Sequence, residues 1–86
     1  MPTICSFYGI LIRMFFDDHE PAHFHAEYGG FKAVIAIESL TLIRGKLPRR
    51  ALDLVLDWAE IHQTELLEDW ALCRTKQHPK PIAPLQ

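Results

Sequence analysis

Apolar and polar positions change rhythm about halfway along this chain. From Thr3 to Phe16 the residues "TICSFYGILIRMFF" are dense in β-branched and aromatic types, and Ile10, Ile12, Met14 and Phe16 alternate with their neighbours. A period of two belongs to a strand with one buried face, so a strand is expected here, with Gly9 marking a bulge or bend. Further on, Tyr28-Gly29-Gly30-Phe31 has the two-residue glycine loop of a tight hairpin, whose type I′ form needs positive φ at both central positions. Counting outward from that loop pairs Tyr28 with Phe31, Glu27 with Lys32, Ala26 with Ala33, His25 with Val34, Phe24 with Ile35 and His23 with Ala36. Alternation then gives Phe24, Ala26, Tyr28, Phe31, Ala33, Ile35 and Ile37 to a core face. His23, His25, Glu27 and Lys32 go to the opposite, open face, and a slip of one residue would bury them all. Leu40 to Ile43 read as a further short strand, broken by Gly45.

After Pro48, which suits the first turn of a helix, the rhythm becomes helical to about Arg74. Leu52, Val55, Leu56, Ala59, Gln63, Leu66, Trp70 and Cys73 form one stripe, and Leu54, Trp58, Ile61 and Leu72 a second apolar band. An unbroken helix would be roughly 40 Å long, longer than the sheet beneath it. Either it breaks in two near Gln63-Thr64, or it overhangs and offers the second band to another subunit or protein. The preferred expectation is one long helix. The fold class is thus α+β: a small antiparallel sheet of three to four strands against a C-terminal helix. Residues 1–75 form a single domain, and "HPKPIAPLQ", with three of the six prolines, ends an extended tail over 76–86.

Composition narrows the classes of function. Eighty-six residues suffice for one core, and 49% apolar with 23% charged residues is ordinary for a globular protein. A net charge of -2 provides no global field toward nucleic acid or anionic lipid, so any such binding needs a local patch. The apolar runs are too short to cross a bilayer and nothing at the start reads as a signal peptide, so a cytoplasmic location is expected. Cys5 and Cys73 lack the close spacing of a zinc knuckle or redox motif and read as buried thiols.

Chemistry concentrates in "DDHEPAHFHAEYGG", residues 17 to 30, which holds three of the five histidines. His23 and His25, two apart on one strand, have Cα atoms roughly 6.5 to 7 Å apart and rings on the same side. Two uses fit that spacing. The imidazoles could share one zinc or nickel ion, helped by His19, Asp17, Asp18 or Glu20. Alternatively they could straddle a phosphodiester as a general acid and base. A basic turn, "RGKLPRR", gathers Arg44, Lys46, Arg49 and Arg50 where strand meets helix, and cations there oppose the helix dipole but suit a phosphate. His62 reads as a hydrogen-bonded histidine at the core edge, and Trp58 and Trp70 as packing residues.

"DHEPAHFHAEY" resembles the D-H-x-P-P-H-F-H-x-x-Y signature of a bacterial family of short proteins, domain of unknown function 4160. "MPTI" at the start, Gly45-x-Leu47-Pro48, and the run Trp58, His62, Leu66 and Trp70 are similar too. The resemblance carries over Asp18, His19, Pro21, His23, Phe24, His25 and Tyr28 as the signature, with Trp58 and His62 as its helical part; Ala22 departs from the second proline. It implies one member of a two-gene toxin–antitoxin module with a small cognate partner. On that basis the leading expectation is a toxin-like, metal-independent ribonuclease. His23 and His25 form its acid–base pair, His19 or Tyr28 assists, and Arg44, Lys46, Arg49 and Arg50 hold phosphate. The partner would cover the histidine face or the apolar helix band, which could also join two copies of the chain. The alternative is a non-enzymatic module binding metal, through His19, His23 and His25, or protein on the same face.

Overall fold

Five antiparallel strands, paired in chain order, carry two helices and a C-terminal strap in a computed structural model that describes residues 2–86. Met1 of "MPTI" lies outside the described residues. The strands are β1 (Thr3–Phe7), β2 (Ile10–Arg13), β3 (His23–Tyr28), β4 (Phe31–Ala36) and β5 (Leu42–Gly45), followed by α1 (Arg49–Ile61) and α2 (Gln63–Arg74). The sheet therefore has more than the three to four strands expected. The difference lies in "TICSFYGILIR", which is a hairpin rather than one strand: Tyr8 and Gly9 have φ of 50° and 80°, as a type I′ turn requires. The apolar alternation runs through Gly9 undisturbed, and Ile10, Ile12 and Met14 are fully buried.

The β3–β4 pairing matches the expected register at all six positions, from Tyr28 opposite Phe31 to His23 opposite Ala36. Its turn differs in kind. Gly29 alone has positive φ, 57°, which is the demand of a type II′ turn. Phe24, Ala26, Ala33, Ile35 and Ile37 are buried on the core face as expected, whereas Tyr28 and Phe31 stay exposed at the hairpin tip. Gly45 ends β5 in a close approach: at φ 77°, an added Cβ would lie 2.1 Å from the Lys32 carbonyl oxygen. Gly45→Ala is expected to cost at least about 2 kcal/mol, because backbone strain and a backbone clash act together. A urea midpoint unchanged from wild type would refute this.

The helical part is two helices, the weighed alternative of a break near Gln63-Thr64 rather than the preferred single long helix. The chain breaks at His62, whose ring packs on Trp58 and whose Nδ1 pairs with Glu65. No overhang results, because α2 turns back toward the sheet and buries Leu66, Trp70 and Cys73. Both cysteines are buried and free. Among the described residues no helix is long and apolar enough to cross a membrane.

The tail after α2 lies extended along the body. The Ile82 N–H donates to the Ile4 carbonyl at 2.9 Å, the Trp58 indole N–H to the Ala83 carbonyl at 2.8 Å, and the Lys80 N–H to Asp69 Oδ1 at 2.8 Å. Ile82 joins the core. The apolar band expected to face a partner is consequently reduced: Trp58 is completely buried, Leu54 and Leu72 are half-buried, and Ile61 is 67% exposed.

Asp69, at the strap's anchor, is itself buried, and its Oδ2 has no hydrogen-bond partner. Burial, with Glu65 and Glu68 nearby, raises its pKa against the Lys80 N–H and ammonium. A carboxyl whose folded pKa is raised contributes stability at low pH, and that contribution disappears as pH climbs from the unfolded to the folded value. Asp69→Asn keeps an acceptor for Lys80 and cannot ionise. Its stability should therefore gain on wild type as pH is raised from 4 to 7, and parallel pH profiles would contradict the assignment.

Candidate metal centre

The segment from Met14 to Ala22, between β2 and β3, is held from outside by the end of α2. The Asp17 N–H donates to the Cys73 carbonyl at 3.2 Å, Asp17 pairs with Lys76 at 3.3 Å, and Arg74 donates to Glu20 at 2.6 Å. Two of the four loop groups weighed as ligands, Asp17 and Glu20, are thus tied to the helix. Asp18 is left to turn inward, over the start of β3.

There its Oδ2 meets both histidines, 2.9 Å from His23 Nε2 and 3.3 Å from His25 Nε2. The ligand atoms of Asp18, His23 and His25 all lie within 4.8 Å of one another. His23 is not on an open strand face: it is 3% exposed, its ring packed 5.1 Å from Trp70 and 5.2 Å from His25. His23 Nδ1 lies 2.7 Å from the Pro21 carbonyl. A carbonyl only accepts, so Nδ1 carries a proton and donates. His23 Nε2 then faces the Asp18 carboxylate, a contact closed either by a proton on Nε2 or by a cation held between the two atoms. His25 is half-buried, with Phe15 edge-on at 4.3 Å.

The charge states suit ligation. Burial works to raise the Asp18 pKa, but hydrogen bonds from His25 and His23, the His23 charge and the His19 N–H outweigh it and hold it below the ordinary aspartate value. Burial lowers the His25 pKa, helped by the charges of His23 and Arg44, against the opposing pull of Asp18. An ionised carboxylate beside a neutral imidazole is the form a divalent cation binds.

The remaining site residues expected from sequence are dispersed. His19 is exposed, its ring centroid 6.3 Å from that of His23, and it lies outside the group of three in which Asp18 takes its place. Tyr28 sits on the other face at the hairpin tip, lining a hollow with Tyr8, Pro48 and Arg50. The basic turn splits: Arg50 belongs to that distant hollow, whereas Arg44 borders His25 and His23. Lys46 and Arg49 are exposed. Arg13 was missed by sequence reasoning, although the alternation Ile12-Arg13-Met14 already turns it outward. It pairs with His25 across β2 and β3.

The model of the family described as domain of unknown function DUF4160 matches residues 9–71. No curated protein matches the chain. No solved structure matches it either.

Proposed function

The chain belongs to the DUF4160 family, and on that premise we propose that it is the toxin-like component of a bacterial toxin–antitoxin module whose working part is a divalent-metal centre formed by Asp18, His23 and His25. One observation carries the reading: Asp18 Oδ2, His23 Nε2 and His25 Nε2 converge, while His23 Nδ1–H is fixed on a backbone carbonyl. A histidine that ligates a metal commonly donates its other N–H to such an acceptor, which sets tautomer and ring direction. Two imidazoles and one carboxylate fit zinc or nickel and leave positions open for water and a substrate oxygen. An ion held by these residues would lower the pKa of bound water and so supply the chemistry of hydrolysis at phosphorus. It replaces the metal-independent acid–base pair in the proposed cleavage of RNA, because His23 has both ring nitrogens engaged and almost no access to solvent.

Titration with zinc or nickel, followed by the histidine ring signals in NMR, tests the centre. Micromolar binding that moves His23 and His25 and leaves His62 and His78 in place is expected. Unmoved His23 and His25 signals at millimolar metal would eliminate it. Growth arrest on expression, lost in His25→Ala, tests the toxin-like role; arrest at wild-type strength in that variant would remove the centre from it.

A further inference from the structure

The outer face of the sheet carries a row that crosses four strands. Arg13 on β2 pairs with His25 on β3, His25 with Val34 on β4, and Val34 with Arg44 on β5, so their side chains share one face. Over this row lies an open hollow of about 460 Å³, bordered by Arg13, Phe15, His25, Lys32 and Arg44, with Glu27 as its acidic member. Three cations therefore face one carboxylate. Arg44 and Lys32 have no ion-pair partner among the described residues. Arg13 approaches Glu27 only to 3.8 Å, and its side chain, 26% exposed, lines the hollow. A guanidinium so placed is a ready contact for a phosphate.

We propose that this hollow binds the phosphate backbone of a single-stranded nucleic acid, with Arg13 and Arg44 as the phosphate contacts and Phe15 as a surface for a base. The inference rests on the toxin-like reading and names the surface that holds its RNA. The two arginines start from strands three apart, roughly 14 Å across the sheet, a span that suits successive phosphates of one strand better than a lone anion. Phe15, half-buried against His25, offers the aromatic face on which bases stack without regard to sequence. His25 stands at the centre of the row, so a bound strand passes directly over the metal centre.

Binding is measured with a fluorescent RNA oligonucleotide in the presence of chelator, so that the arginine contacts are read without the metal. Arg44→Gln is expected to weaken binding about tenfold and to reduce the slope of log affinity against log salt by about 0.7, the value for one phosphate contact on a single strand. Glu27→Gln, which removes the competing carboxylate, should tighten binding. Inorganic phosphate should compete only at millimolar concentration. Lys80→Gln, an exposed cation outside the row, should bind as wild type. Arg44→Gln binding like wild type, or Lys80→Gln losing as much as Arg44→Gln, would overturn the proposal. Arg13→Gln is read beside its melting temperature, since Arg13 is half-buried. Zinc titration beside RNA titration of the wild-type protein separates the two claims: RNA binding without metal binding defeats the metal centre alone, and metal binding without RNA binding defeats the hollow alone.

Discussion

Removal of residues 78–86 is expected to destabilise the protein by about 3 to 5 kcal/mol, a large share of the total of about 5 to 15 kcal/mol typical of folded domains. Burial of one isoleucine is worth about 1.5 to 3 kcal/mol, and Ile82 is 5% exposed. A buried donor left without its acceptor costs a further 1 to 3 kcal/mol or so, and the Trp58 indole N–H would lose the Ala83 carbonyl. Asp69 would lose the Lys80 N–H at the same time. Urea unfolding followed by tryptophan fluorescence reads both effects: the midpoint should fall, and the emission of the truncated native state should shift to the red as Trp58 meets water. Ile82→Ala should reproduce part of the loss, about 2 kcal/mol or more. An unchanged midpoint in the truncated chain would mean that the strap contributes nothing to stability.

His23→Ala and His25→Ala should behave differently although both remove a metal ligand. Either should abolish binding of zinc or nickel in the micromolar range, because two protein ligands remain. His23 is also buried, fixed to the Pro21 carbonyl and Asp18 and packed on Trp70. Its loss should cost about 2 to 3 kcal/mol through a cavity and an unpaired carboxylate. His25, half-buried on the outer face, should cost less than about 1 kcal/mol, so His25→Ala isolates the ligand role. Calorimetric metal titration beside thermal unfolding decides the matter. Full metal affinity in either variant, or equal destabilisation by both, would contradict this division of labour.

What the sequence made legible is what short-range geometry controls. A two-residue loop admits one register, so Gly29-Gly30 settled every pair from Tyr28–Phe31 to His23–Ala36 and separated the histidines from Phe24 and Ala26. Tyr8-Gly9 also closes a two-residue hairpin yet reads from sequence only as a bulge or bend at Gly9, because tyrosine seldom signals positive φ and the apolar alternation continues through it. The helix break at His62 falls beside the Gln63-Thr64 position weighed from sequence, but no glycine or proline marks it, and so the pattern favours a single helix. A proline-rich tail has no period at all, and so no pattern announced that Ile82 would be buried.

The metal centre shows the same boundary. That His23 and His25 share a side followed from alternation. That Asp18, rather than His19, Asp17 or Glu20, would join them depends on α2 engaging Asp17 and Glu20 from more than fifty positions away. The burial of His23 under Trp70 is equally a long-range fact.

The strand order, β1 to β5 without a crossover, bears on how the protein assembles. Each strand pairs with its neighbour in sequence, so the sheet closes only short loops and should form quickly. The three proposed ligands fall within residues 18 to 25, yet the contacts that aim Asp18 close a long loop, from Asp17 to Cys73. A nascent chain released up to β5 would therefore carry both histidines in register and still lack the clamp that completes their site. Competence to hold a metal would arrive only with the last helix.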